Sequence, residues 1–398
     1  MTDIFAQTKA KFHLPKGMIY LDGNSLGPLP KAAMGAVERT IQDEWGEMLI
    51  TGWNKAGWIN KPSEIGDRIG KLIGAPAGSV VMGDTLSIKV YQALASALEL
   101  NPGRKVVLSD KGNFPSDLYI ADGLLKSLGD EYELRVVAPE DVETALTDDV
   151  AVMMITEVDY RTGRKHDMKT LTEKAHANGI LTIWDLAHSA GALPVDLEGC
   201  NADFAVGCTY KYLNGGPGAP AFIYVADKHK DAARPALSGW MGHEAPFAFD
   251  LDYRAAPGIE RMRVGTPPII ALSVLEASMD IWDMVEMDAV RERSIELCDL
   301  FIDEVERLCP QLQLGSPREG KRRGSQVSFH FENGYAAMQA LIANGVIGDF
   351  RAPDMMRFGF TPLYVDHDDV RGAAAILGTI INEKVWDDPK YQKRSKVT

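Results

Sequence analysis

Between Ala202 and Pro220 the chain reads ADFAVGCTYKYLNGGPGAP. An apolar run (Phe204, Ala205, Val206) breaks at Gly207. Thr209, Tyr210 and Lys211 follow, ahead of Asn214, Gly215, Gly216, Pro217 and Gly218. A lysine at the end of a buried strand can do chemistry, because burial disfavours its charged form and a desolvated amine is a nucleophile for Schiff-base formation. The glycines let backbone come close to another segment or to a ligand. Taken alone, the stretch reads as an exposed lysine in a glycine-rich turn; other strand ends change that reading.

The run LTIWDLA carries Asp185 just beyond an apolar stretch, with His188 three residues later. An aspartate there can cap a helix or fix a turn; it can equally pair with a cationic ligand nitrogen. It lies one strand–connection–strand unit before Lys211, so the two can share one rim of a sheet. A lysine for the Schiff base and an aspartate facing the pyridinium nitrogen are what a pyridoxal phosphate site requires. After Val80–Met82 comes GDTLSIKV, where Leu86 and Ser87 open a helix whose backbone N–H groups could bind phosphate. After Val106–Leu108 comes SDKGNFPSDLY, where Phe114 could stack on a flat ring and Asp117 could bond near it. Each alone is ordinary, since helices often begin with Pro and nearby Ser.

These residues need a common scaffold. Val80–Met82, Val106–Leu108, Leu134–Val137, Val150–Ile155, Ile180–Trp184, Phe204–Val206 and Ala221–Val225 read as strands, with helical windows at Ile88–Leu98, Ser116–Leu128 and Leu171–Ala177. Apolar strands alternating with helices predict an α/β fold with a mostly parallel seven-stranded sheet covered on both faces. Ligands bind such sheets outside the carboxyl ends of the strands. From Ile269 onward long helices (Ala271–Met284, Ala289–Leu308) precede shorter strands (Val327–Phe331, Val346–Arg351, Met355–Phe358), a helix at Ala336–Ala343 and a last one from about Asp368 to Glu383. This predicts a smaller α+β domain. The expected division is an N-terminal segment, 1–55, packing on the smaller domain and an interface; a large domain, 56–265; the small domain, 266–386; and a polar tail, 387–398. YLDGNSLGPLP, Tyr20 to Pro30, reads as an irregular loop, and Lys31 to about Trp53 as helical. Trp45, Trp53 and Trp58 make an aromatic patch suited to core packing, an interface or a ligand wall. No repeat or low-complexity segment stands out.

The net charge of −14 argues against nucleic acid or an anionic membrane as partner. The four cysteines (Cys200, Cys208, Cys298, Cys309) form no C-x-x-C pair and show no metal-ligand spacing with histidine, so reduced thiols and no metal are expected. The first residues lack an apolar signal core, and no run approaches the ~18 apolar residues of a membrane span. A cytoplasmic protein is expected.

The segments YLDGNSLGPLP, FPSD, DLAHSAG, TYKYLNGGPG, GWMGHE and RVGTPPI closely resemble the kynureninase family, fold type I pyridoxal phosphate enzymes near the class V aminotransferases. The likeness runs from about residue 18 to about residue 365. It implies hydrolytic cleavage of the Cβ–Cγ bond of L-kynurenine to anthranilate and L-alanine, a step of tryptophan catabolism on the kynurenine route that also feeds NAD biosynthesis. It implies that Lys211 carries pyridoxal 5'-phosphate, that Asp185 holds the pyridine nitrogen, that Phe114 stacks on the ring, and that Leu86, Ser87, Asp117, Thr156, His188 and Tyr210 line the cofactor. Trp240 and Thr266 resemble positions lent by a neighbouring subunit of a homodimer with its active sites at the interface. Arg357, in RFGFTPLY, resembles the arginine that grips the substrate carboxylate, a role its planar fork suits. Asn24, Trp53, Gly265 and Thr266 are the remaining implied substrate contacts. Tyr210 is the candidate acid for Cβ. Members that favour 3-hydroxykynurenine resemble one another in a His in the early Trp-rich stretch and Ser-Asn before Pro-Pro. Trp53, Gly265 and Thr266 instead resemble bacterial members that favour kynurenine. The competing readings are another enzyme of this fold, an aminotransferase or a cysteine desulfurase, and a non-catalytic pyridoxal phosphate-binding protein.

Overall fold

The computed structural model describes residues 3–393; residues 1–2 and the end of the polar tail, 394–398, lie outside the described residues. Its centre is a seven-stranded sheet: β1 (Val80–Met82), β2 (Val106–Asp110), β3 (Glu133–Val137), β4 (Val150–Thr156), β5 (Leu181–Asp185), β6 (Phe204–Gly207) and β7 (Phe222–Val225). The spatial order is β1-β7-β6-β5-β4-β2-β3. Only β7 runs antiparallel to its neighbours. The predicted mostly parallel sheet is therefore present. Every residue of β4 is buried, as a strand covered on both faces requires.

Successive residues go to opposite sides. Val80 and Met82 join a core that includes Ile65 and Ile69 of the helix Lys61–Leu72. Val81 joins a second core with Val90 and Leu94 of the helix Leu86–Leu100. The Lys61–Leu72 helix escapes a reading by apolar spacing because Gly66 and Gly70 interrupt it. Gly66 is needed there: a Cβ would stand 2.3 Å from the Val80 carbonyl oxygen.

Toward the C-terminus, helices Ile269–Trp282 and Met287–Leu308 lead to a four-stranded sheet in the order Gln313–Leu314, Gln326–His330, Met355–Gly359, Asp349–Arg351. The long helix His367–Asn382 packs along Met287–Leu308. Val346–Arg351, read from sequence as one strand, is two, and Val346–Ile347 and Asp349–Arg351 belong to different sheets. Between them Gly348 lies so close to the Arg357 carbonyl oxygen that a Cβ would be 2.8 Å away.

The N-terminal segment crosses to this C-terminal region. Ile19–Tyr20 pairs in parallel with Val346–Ile347, and Thr8 Oγ1 donates to the Leu363 carbonyl at 2.9 Å. The loop read as irregular is bounded by Ile19–Tyr20 and Leu29–Pro30, the latter paired with Phe12–His13. The helical stretch after it is not one α-helix. Ala32–Arg39 is α-helical, Thr40–Glu47 is π-helical and Leu49–Thr51 is a 3₁₀ turn. Leu49, at φ +50°, interrupts it. At the other end, Pro389–Gln392 forms a helical turn whose Lys390 N–H is capped by Asp388. Among the described residues no helix is long and apolar enough to cross a membrane.

Candidate active site

The strands place the chemistry at one edge. Thr156 closes β4 and Asp185 closes β5. Lys211 follows β6, and Phe114 and Asp117 follow β2 at the start of the helix Pro115–Leu128. Leu86 and Ser87 open the helix after β1. Ser87 Oγ lies 3.1 Å from Ser116 Oγ, so the first turns of these two helices sit side by side.

Lys211 is the hub. Its Nζ is 3.4 Å from His188 Nε2 and 5.8 Å from each of the Phe114 and Tyr210 ring centroids. Phe114 is 39% exposed, so its ring is offered at the surface of the site rather than packed away. It is held edge-on by Tyr160 at 5.1 Å between centroids. Asp185 is buried, and its Oδ1 accepts the Ala187 N–H at 2.9 Å. Burial pushes its carboxyl up while the Lys211 charge draws it back. Burial, then the charge of Asp185, pushes Asp117 well up, and its Oδ2 is buried without a partner. Two buried carboxylates beside one lysine are short of positive charge, and such groups need a counter-charge or a proton. His188 is pushed well down by burial and by the Lys211 charge, so its imidazole is neutral. Tyr210 is raised, by the Cys208 sulfur first and by burial second, and keeps its phenolic proton.

The loop from Asp22 to Gly27 forms the front wall. Gly27 N donates to the Tyr210 carbonyl at 2.7 Å, and a Cβ on Gly27 would stand 2.5 Å from the Lys211 carbonyl oxygen. Asn24 is fully buried, its side-chain amide is unpartnered, and its backbone bonds His188.

Arg357 reaches this wall from the small domain. It is 1% exposed. Its Nε donates to Asp349 Oδ1 at 2.8 Å and Nη2 to Ser25 Oγ at 2.6 Å, with further bonds to Asp349 Oδ2 and the Tyr160 carbonyl. Arg351 shares Asp349. Asp22 belongs to the same network: burial and the Asp349 charge push its carboxyl up to about 7, against the pull of Arg357.

Not every expected site residue joins this group. Trp53 is linked to Trp240 through Phe247, at 6.3 Å and 5.7 Å between centroids, rather than to Lys211. Gly265 and Thr266 are exposed. They lie on the segment bonded to the Trp240 turn, where Met241 N donates to the Val264 carbonyl. Behind the glycine loop, Gly215, Gly216 and Pro217 border an apolar hollow of about 670 Å³ with Trp45, Trp58, Ile270 and Val274. Met34, Leu49 and Ile50 are 67%, 63% and 75% exposed. Asp22 and Ser25 lie inside YLDGNSLGPLP, and Asp349 inside the strand read at Val346–Arg351, without roles of their own there, and Tyr160 stands outside every segment singled out. Ser25 and Tyr160 meet Arg357 across 332 and 197 residues, whereas Asp349 meets it across eight, from the neighbouring strand.

A family model described as the kynureninase C-terminal domain matches residues 290–377. A kynureninase from Burkholderia pseudomallei is 49% identical over 403 aligned residues, covering 100% of this chain and 97% of that one. A kynureninase from Pseudomonas fluorescens is 48% identical with the same coverage. Among solved structures, a cysteine desulfurase from Thermococcus onnurineus NA1 superposes with a TM-score of 0.80 at 17% identity, covering 95% of this chain and 98% of that one. A C-DES structure with glycine covalently linked to its pyridoxal phosphate cofactor superposes at 0.79 and 15% identity, covering 93% and 98%. These last two are similar in fold.

Proposed function

The chain belongs to the kynureninase family, and from that premise we propose how its side chains divide the work. The reaction is the hydrolytic cleavage of the Cβ–Cγ bond of L-kynurenine to anthranilate and L-alanine, in tryptophan catabolism. The cofactor is pyridoxal phosphate, and the site fits it. The buried Asp185 carboxylate, short of counter-charge beside Lys211, fits a cationic ring nitrogen, and the partnerless buried Oδ2 of Asp117 next to it leaves a polar position for the ring's edge. Phe114 offers a ring face, and the adjoining first turns at Leu86–Ser87 and Ser116 offer N–H groups to a phosphate.

When bound, pyridoxal phosphate supplies an electron sink for negative charge developing on the substrate. Lys211 would hold it and, as a free amine, would take the Cα proton as general base. Asp185 keeps the ring nitrogen protonated, and Asp117, Thr156 and neutral His188 line the ring. Tyr210, which keeps its proton, donates it to Cβ. Arg357 orients the substrate carboxylate, and Asn24 borders it. The loop Asp22–Gly27 keeps bulk water from the front.

The observation that carries this reading is the cluster of Lys211 with two buried carboxylates and neutral His188 at one sheet edge. Incubating the protein with L-kynurenine and following anthranilate fluorescence tests it; absence of anthranilate from cofactor-loaded protein would sink it. The desulfurase alternative needs an activated thiolate. Burial pushes Cys200, Cys208, Cys298 and Cys309 all up, three of them to about 11, which speaks against that chemistry.

Homodimerisation with interfacial active sites is part of the proposal. Exposed Met34, Leu49 and Ile50 and the apolar hollow behind the glycine loop support it, since exposed apolar surface of this kind marks an interface. Trp240 and Thr266 would then serve the neighbour's site. Four free cysteines support a cytoplasmic location. With Trp53 at the substrate ring, kynurenine is the preferred substrate over its 3-hydroxylated form.

A further inference from the structure

The helix Leu86–Leu100, whose first turn is to meet the cofactor phosphate, carries a cation in that turn. Lys89 is 0% exposed. A lysine there opposes the helix dipole, which favours anions at this end, and a buried ammonium is costly unless partnered. Its partners come from three segments. Nζ donates to the Met262 carbonyl at 2.8 Å and to Gln92 Oε1 at 2.9 Å, and lies 3.5 Å from Asp84 Oδ2.

Each partner matters to the geometry. Asp84 sits two residues before Leu86 at φ +55°, a left-handed conformation that a non-glycine residue keeps only when held. Its backbone and that of Gly83 are pinned to Ala221. Met262 begins the run to Gly265 and Thr266. Nearby, Arg263 is 7% exposed, and its Nη1 bonds Glu260 while its Nη2 is buried without a partner. Two buried cations, one of them incompletely paired, thus stand by a helix N-terminus that itself attracts negative charge.

We propose that Lys89 is a positioning residue for the cofactor phosphate: its ammonium locks the Gly83–Thr85 turn against the Met262 segment, fixes the Leu86–Ser87 N–H groups in aim, and adds positive charge behind them. This rests on the pyridoxal phosphate reading above. Asp84, Arg263 and, one step out, Glu260 are the charged groups facing Lys89. Burial lowers the Lys89 ammonium to about 8, opposed by Asp84 and assisted by Arg263, so its charge is lost within a workable alkaline range.

The test uses the cofactor-free protein, titrated with pyridoxal phosphate and separately with pyridoxal, which lacks the phosphate, by absorbance between pH 6.5 and 9. In Lys89→Met the Kd for pyridoxal phosphate should rise about 10- to 30-fold at pH 7, the reach of a charge at a buried helix terminus, with pyridoxal almost unaffected. The parent's advantage over the variant should shrink as pH rises through about 8. Lys89→Arg, which keeps the charge, should restore most of the affinity and lose this pH dependence. Equal weakening for both ligands, or a parent-to-variant ratio flat with pH, would overturn the proposal. Should Lys89→Met not fold, the Lys89→Arg profile against the parent decides by the same criterion. A parent that binds neither ligand would sink the cofactor reading itself, an outcome separate from any difference between variants.

Discussion

Arg357 and Asp349 face each other fork to fork inside the small domain, with Nε 2.8 Å from Oδ1 and Nη2 on Oδ2. The arginine proposed to grip the substrate is therefore pre-oriented by a carboxylate of its own chain. Bidentate pairs of this kind fix direction as well as charge.

Arg357→Lys should separate the two. The charge remains to partner Asp349 and Asp22, so the fold survives, but the planar fork is gone. kcat/KM for kynurenine should fall roughly 30- to 1,000-fold, about 2–4 kcal/mol, with pyridoxal phosphate affinity nearly unchanged. Steady-state kinetics beside a cofactor titration measure both, and an unaltered kcat/KM would remove Arg357 from the substrate site.

Asp22 gives the same site a pH dependence. Its carboxyl titrates at about 7, raised by burial and by Asp349. Below that value Asp22 is neutral; above it a second negative charge competes with the substrate carboxylate for Arg357. KM for kynurenine should rise as pH increases through 7, with kcat less affected, and Asp22→Asn should flatten that part of the profile. A variant whose KM profile overlays the parent's would remove Asp22 from the account.

Subunit exchange tests the shared site. Lys211→Ala alone should be inactive and lose the visible absorbance of lysine-bound cofactor, and Trp240→Ala should be strongly impaired. Mixing and re-equilibrating the two should restore about a quarter of parental activity, because half the dimers are mixed and each has one intact site. No gain on mixing would show that each chain completes its own site.

Substrate choice follows from Trp53 and the Gly265–Thr266 pair. An indole wall packs the unsubstituted ring and offers a phenol only its π-face. A buried hydroxyl left poorly paired costs about 1–3 kcal/mol. The expected preference for L-kynurenine over the 3-hydroxylated form is roughly ten- to a hundredfold in kcat/KM. Competition assays with both substrates decide it, and equal values would return Trp53 to plain packing.

The seven strands were legible because each is a short apolar run with helices between, and the sheet's chemistry follows from residues at the ends of those runs. The Lys61–Leu72 helix was not legible: Gly66 and Gly70 look like breakers, and only the contact with Val80 shows why they are there. The π-helical turn Thr40–Glu47 was hidden likewise, since its apolar spacing passes for α-helix. Lys211, Asp185 and Phe114 could be found from motif and order. Tyr160, Ser25 and Asp349 could not be given roles, because docking of the small domain carries Arg357 and its strand neighbour Asp349 to Tyr160 and Ser25, 197 and 332 residues from Arg357, and no local pattern encodes such distances.

That docking also fixes when the site can exist during synthesis. Thr8 and Leu363, 355 residues apart, are bonded, and Ile19–Tyr20 completes its pairing only with Val346–Ile347. A ribosome releases the front wall first and its anchor last. The nascent chain can build the seven-stranded sheet and lay Gly27 on Tyr210 while Thr8 and Ile19–Tyr20 still lack their partners, so the wall in front of Lys211 stays unanchored until translation is nearly over. A chain stalled before Val346 would carry the lysine and its carboxylates without the loop that encloses them.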